Sequence, residues 1–118
     1  MFQEVKESLP VSGDEYDAQI IREIKACALD LTTSAEIVLP GVIAITRTQD
    51  PQTHEWTVTD ASTVTDELII AVISTWCNMR IGNPPNYDHL LAAYNSLKGQ
   101  LRLSDHYTHY GSGEADGT

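Results

Sequence analysis

The segment from Leu68 to Ile81 sets the terms for the rest of the chain. Leu68, Ile69, Ile70, Val72, Ile73, Trp76, Cys77, Met79 and Ile81 cover most of a helical cylinder. Only Glu67, Ser74, Thr75 and Asn78 leave a polar strip. A helix that is apolar nearly all round has to be buried. At about four and a half turns it spans roughly 25 Å. A bilayer crossing needs about 20 apolar residues, more than this segment offers. The remaining elements are therefore expected to wrap it.

Thr65 is the expected N-cap of this helix, its hydroxyl accepting from free first-turn amides. Asp66 and Glu67 follow, where negative charge suits the helix dipole, and Val64 and Ile69 take the hydrophobic-staple positions. Gly82 fits a left-handed C-terminal cap. Asn83-Pro84-Pro85-Asn86 cannot continue a helix, because proline lacks the amide and restricts its predecessor. Asn86 is then placed to cap a returning helix. Along it Tyr87, Leu90, Tyr94, Leu97 and Leu101 alternate spacings of three and four, a heptad-like seam, while Asp88, Asn95, Lys98, Gln100 and Arg102 take the opposite face. The seam is expected to pack on the Trp76 helix of the same chain, since a free-standing coiled coil needs more heptads.

Upstream, Phe2 to Leu9 reads as a short helix with Phe2, Val5 and Leu9 on one side, ended by Pro10. Ser12 to Glu15 has capping-box spacing. A second helix is expected from about Asp14 to Leu31. Its stripe is Tyr16, Ile20, Ile24, Cys27 and Leu31, widened by Ile21 and Ala28, with Arg22, Glu23, Lys25 and Asp30 facing out. Between residues 32 and 63 threonine and β-branched residues take over. Pro40-Gly41 is a turn signal. Val42 to Thr48 places Ile43 and Ile45 on one face, and His54 to Thr59 does the same for Trp56 and Val58. Pro51 suits the intervening turn. The reading is a β-hairpin inserted between helices two and three. An isolated two-stranded hairpin is marginal in water, so it should lie on the helices or meet another subunit. Trp56 on it is either core cover or an interface anchor.

The fold class expected is therefore mainly α: a small bundle of three to four helices with an inserted β-hairpin or extended loop. Residues 1–103 are expected to form one helical domain, with 32–64 as the hairpin or loop insertion, and 104–118 a flexible, acidic C-terminal tail. Its core is expected to hold Ile20, Ile24, Ile69, Ile73, Trp76, Leu90, Tyr94, Leu97 and Leu101. Tyr107 and Tyr110 are aromatic residues in that tail, which either frays or orders on docking.

No chemistry-bearing constellation emerges. His106 and His109, beside Asp105, lack a fixed frame and cysteine partners, so surface histidines are the better reading than a metal site. His54 and His89 are isolated. Cys77 neighbours Trp76 and Met79 on a buried helix, which suits a core thiol rather than a nucleophile. Cys27 sits on a similar face, and the pair is expected to be reduced, with a disulfide as the alternative. Catalytic, metal and cofactor sites are not expected. With 17 acidic and 7 basic residues the net charge is −10, which disfavours tight nucleic-acid binding. Glu4, Lys6 and Glu7 interrupt the start before an apolar region forms, so no secretory signal is expected. The protein is expected to be soluble and made in the cytoplasm.

The run DELIIAVISTWCNMRIGNPPNYDHLLAAYNSLKGQLRLSDHY has a recognisable order: acidic start, apolar helix, Gly-Asn-Pro turn, Tyr-Asp, a Tyr-x-x-x-Lys helix and a final Leu-x-x-Ser-x-x-Tyr. It resembles the head–tail connector proteins of long-tailed phages and prophages, also called head-completion or adaptor proteins. The likeness extends over Asp66 to Tyr107 and, less closely, Val5 to Leu31; the insertion lies outside it. The resemblance implies a structural protein of the virion, one of twelve copies in a ring below the portal. Such a ring extends the DNA channel and receives a stopper or tail-completion protein. DNA would pass without sequence-specific binding, and an acidic wall would repel its phosphates. Arg47 and Trp56 are then expected to touch an adjacent subunit or the next ring, and Tyr107 and Tyr110 to dock on the portal. The alternative is a small acidic helical adaptor or regulator that binds a single protein partner.

Overall fold

A computed structural model describes residues 1–11, 13–81 and 84–103. Four helices and one hairpin follow in the order α1 (Phe2–Glu7), α2 (Asp17–Thr33), β1 (Ile45–Gln49), β2 (Trp56–Asp60), α3 (Glu67–Arg80) and α4 (Tyr87–Arg102). This is the mainly helical architecture with an inserted hairpin that the sequence leads one to expect. The apolar helix α3 lies at the centre, with α1, α2 and α4 packed against it. Ile69, Val72, Ile73, Cys77 and Met79 are its buried residues. The α4 seam packs within the chain: Tyr94 and Leu101 are buried, and Leu90 and Leu97 lie partly buried against the core. Tyr87, at the start of the seam, is 43 % exposed.

Several boundaries move for local reasons. The first helix stops at Glu7 rather than Leu9, yet Phe2, Val5 and Leu9 are all buried as expected. The second helix begins at Asp17, three residues later than expected, with Tyr16 at its N-cap and no side-chain cap. Ser12, the expected cap, lies outside the described residues, as do Gly82 and Asn83. An ion pair joins this helix start to α1. Lys6 of α1 stands 2.7 Å from Asp17 Oδ1 and 3.5 Å from Asp14. Among the described residues no donor is aligned on the buried Asp17 Oδ1 as a hydrogen bond, but the ammonium matches its charge.

The cap of α3 is Asp66 and not Thr65. The Asp66 carboxylate accepts from the Leu68 and Ile69 amides at 2.9 and 3.2 Å. An ionised acceptor bonds two amides more strongly than a hydroxyl can. Asn86 does occupy the N-cap position of α4, but its side chain makes no capping bond.

The hairpin pairs antiparallel, from Ile45↔Asp60 at its base to Gln49↔Trp56 at its tip. Asp50 closes the tip turn, its Oδ1 accepting from the Gln52 and Thr53 amides. Beyond the base the two chains stay joined: Ala61 N donates to Ala44 O, and Thr63 N to Val42 O. Gly41 is needed there, because a Cβ would stand 2.7 Å from Thr63 Oγ1. The insertion is part of the core, to which it contributes Ala35, Ile37, Ile45 and Val64.

Asp60 anchors the chain's first residues to the hairpin. Its Oδ2 accepts from the Met1 amine at 2.9 Å and from the Phe2 amide at 2.7 Å, and its Oδ1 from the Ser62 amide. Desolvation opposes the charged form, but the bonds from Ser62, the Met1 amine and Phe2 outweigh it. They hold the carboxyl well below the usual carboxylate range. A depressed folded-state value contributes stability that is present above the ordinary carboxylate pKa and lost as pH falls through the folded one. Wild-type urea midpoints should therefore fall more steeply than those of Asp60→Asn between about pH 5 and pH 2. Parallel profiles would show that Asp60 does not hold the N-terminal segment.

Candidate functional site

The expected interface residues on the hairpin come together. Arg47 and Trp56 belong to the same sheet face, on which Ile45, Arg47 and Gln49 oppose Asp60, Val58 and Trp56. The Arg47 guanidinium lies 3.8 Å from the centre of the Trp56 ring. Its Nε is covered and has no hydrogen-bond partner among the described residues. Stacking on an indole is a favourable use of a guanidinium. Burial on this face falls off from base to tip: Ile45 is 1 % exposed, Val58 partly buried and Trp56 50 % exposed. The base covers the core, and the tip presents an unspent aromatic. The other face carries Thr46, Thr48, Thr57 and Thr59, all exposed. Tyr107 and Tyr110 lie outside the described residues, as do His106 and His109.

Inside the body the core residues are found as follows. Ile20, Ile24, Ile69, Ile73 and Leu101 are fully buried and Tyr94 nearly so, whereas Trp76, Leu90 and Leu97 are partly buried against them. Trp76 and Tyr94 meet with ring centres 5.2 Å apart.

Two residues expected to face solvent do not. Glu23 Oε1 accepts the Trp76 indole N–H at 3.0 Å, with Arg80 Nε 3.6 Å away. Asp30 Oδ2 accepts the Tyr94 hydroxyl at 2.5 Å and pairs with Lys98 at 3.2 Å. Lys98, expected on the outer face of α4, is thereby drawn inward. The signal in the sequence was the aromatic pair itself, because a buried Trp N–H or Tyr O–H needs a partner.

The thiols beside this seam are held in the protonated form. Burial pushes the Cys27 thiol up to about 12, despite a weak contact to the Tyr94 hydroxyl. Burial also raises Cys77, and both cysteines are free thiols. Burial and the bond donated to Asp30 raise Tyr94. A protonated thiol is a poor nucleophile. Among the described residues no group of three His, Cys, Asp or Glu converges as a metal site, and no helix is long and apolar enough to cross a membrane. A depression at the end of α4 is lined, among the described residues, by Gly99, Arg102 and Leu103, of which Arg102 is charged.

Comparison with protein-family models, with curated proteins and with solved structures gives no match.

Proposed function

We propose that this chain is the subunit of a phage head–tail connector: a virion protein that forms a ring, twelve copies in the particle, between the portal and a stopper or tail-completion protein. The observation that carries the reading is the projecting hairpin tip. A helical body with a satisfied core presents Trp56 half-exposed on a two-stranded sheet. Large aromatics and arginine are the residues that anchor protein interfaces. The residue order from Asp66 to Tyr107 supports the same reading, as does the net charge of −10, which suits a wall that DNA must pass without being held. The tail with Tyr107 and Tyr110 is assigned to the portal, and the chain does no chemistry of its own.

The test is to mix the protein with the portal ring of its own genome and weigh the complex under native conditions. A discrete species carrying a ring's complement of this chain is the expected result. A truncation after Ser104 should stay folded and lose that association. Absence of any complex between two folded partners would remove the connector reading in favour of a small acidic adaptor with a single partner.

A further inference from the structure

Helix α2 has a solvent stripe unlike the rest of this acidic chain. Ala18, Arg22, Lys25, Leu29 and Thr32 follow one another at helical spacing and are all exposed, Leu29 to 62 %. Lys6, Arg80 and Lys98 are each in an ion pair, Arg47 stacks on Trp56, and among the described residues Arg102 stands alone at the end of α4 beside Gly99 and Leu103. Arg22 and Lys25 have no ion pair among the described residues. No acid of α2 stands three or four residues from either cation, and Glu23 and Asp30 are bonded to Trp76 and Tyr94. Two cations three residues apart repel one another on an isolated helix. In a chain of net charge −10, an uncompensated basic stripe with an exposed leucine beside it is suited to an acidic, partly apolar protein surface.

The hairpin tip of a second copy is such a surface. Strand rise carries the Gln49↔Trp56 pair about 14 Å beyond the Ile45↔Asp60 pair that rests on the body. At that end Asp50, Glu55 and Trp56 are all exposed. We propose that the tip of one copy docks on the α2 stripe of the next. Asp50 and Glu55 face Arg22 and Lys25, and the free side of the Trp56 ring lies against Leu29. The two surfaces are different patches of the same chain, so the contact is heterologous and propagates from copy to copy until the rotation closes a ring. This rests on the connector reading and specifies its subunit contact. A tip on a single helix is a small interface by the standards of stable complexes. Assembly should therefore depend on many copies closing together.

Two charge-reversed chains test it. One carries Arg22→Glu and Lys25→Glu, which makes both docking surfaces acidic. The other carries Gln52→Lys and Glu55→Lys, which makes both basic. Each alone, with its helical circular dichroism intact, should give at least tenfold less ring-sized complex on the cognate portal than wild type. An equimolar mixture should restore it, because acidic tips then meet basic stripes and basic tips meet acidic stripes around an alternating ring. Rescue by mixing shows that the lost assembly was not misfolding. Wild-type-like assembly of either chain alone overturns the contact, and so does failure of the mixture to recover. Loss of duplex-DNA retention with assembly intact would overturn it too, and assign the stripe to nucleic acid. If wild type itself adds no ring complement to the portal, the connector reading has failed, and this contact falls with it.

Discussion

Replacing Ile73 by alanine should cost about 2–5 kcal/mol, the usual range for deleting a buried branched side chain and leaving a cavity. Ile73 is fully buried on the helix that α1, α2 and α4 all cover. Those layers converge on α3, so collapse into the space would have to move several of them at once. Interiors are close-packed, which makes such movement costly. A domain of this size has only about 5–15 kcal/mol in total. For roughly 100 residues each kcal/mol shifts the melting temperature by about 4–8 °C. A fall of about 10 °C or more in Tm is therefore expected. Leu103→Ala is the control, because Leu103 is 88 % exposed and such surface changes stay within about 0.5 kcal/mol. Similar melting temperatures for the two variants would mean that α3 is not the centre of the core.

The second large effect belongs to Tyr94→Phe. The ring stays and keeps its contact with Trp76, but the hydroxyl between Cys27 and Asp30 is lost. Among the described residues Asp30 is left with Lys98 as its side-chain partner, at 3.2 Å. Leaving a partly buried acceptor short of a donor costs about 1–3 kcal/mol. The hydroxyl also predicts a pH effect. Burial, then the bond to Asp30, raises its pKa in the folded protein. A raised folded-state value gives stability that is complete below the unfolded tyrosine value, near 10, and is lost as pH rises through the folded one. Wild type should lose stability relative to Tyr94→Phe only above about pH 10. Denaturant midpoints for both proteins at neutral and strongly alkaline pH measure this. A constant difference across that range would place the Tyr94 hydroxyl outside the network that holds α2 to α4.

Much of this body could be read from residue spacing. Phe2, Val5, Ile20, Ile24, Cys27 and Leu31 recur at helical intervals and are buried, as do Tyr94 and Leu101 in the returning helix. Ile45, Val58 and Trp56 alternate as a half-covered strand face should. Spacing could not identify the cap of α3, because Thr65 and Asp66 are both competent and adjacent, and the choice depends on which carboxylate or hydroxyl reaches two amides. It also missed Glu23 and Asp30. A charged residue between apolar positions looks solvated until the partner helix that supplies a Trp N–H or Tyr O–H is in place. Ala35 and Ile37 were absent from the expected core, because they lie in a stretch without regular structure. There the burial comes from a chain path pinned by Ile37 N to Leu31 O and by the close approach at Gly41. The candidate interface was legible in one respect: Trp56 was more aromatic surface than a small helical body needed. The inward turn of Glu23 and Asp30 required the structure.

Several of the polar bonds that join the elements bridge distant parts of the chain. Phe2 reaches Asp60 across 58 residues, Glu23 reaches Trp76 across 53, Asp30 reaches Tyr94 across 64, and Asn78 reaches Ser8 across 70. Contacts this far apart in sequence slow folding, because loop closure has to come before their formation is rewarded. On the ribosome, α2 is made before the Trp76 and Tyr94 partners of Glu23 and Asp30 and before most of the cover for its apolar stripe. These arrive with α3 and then α4. The body is therefore complete only once α4 has been made, and until then the apolar α3 is left partly uncovered.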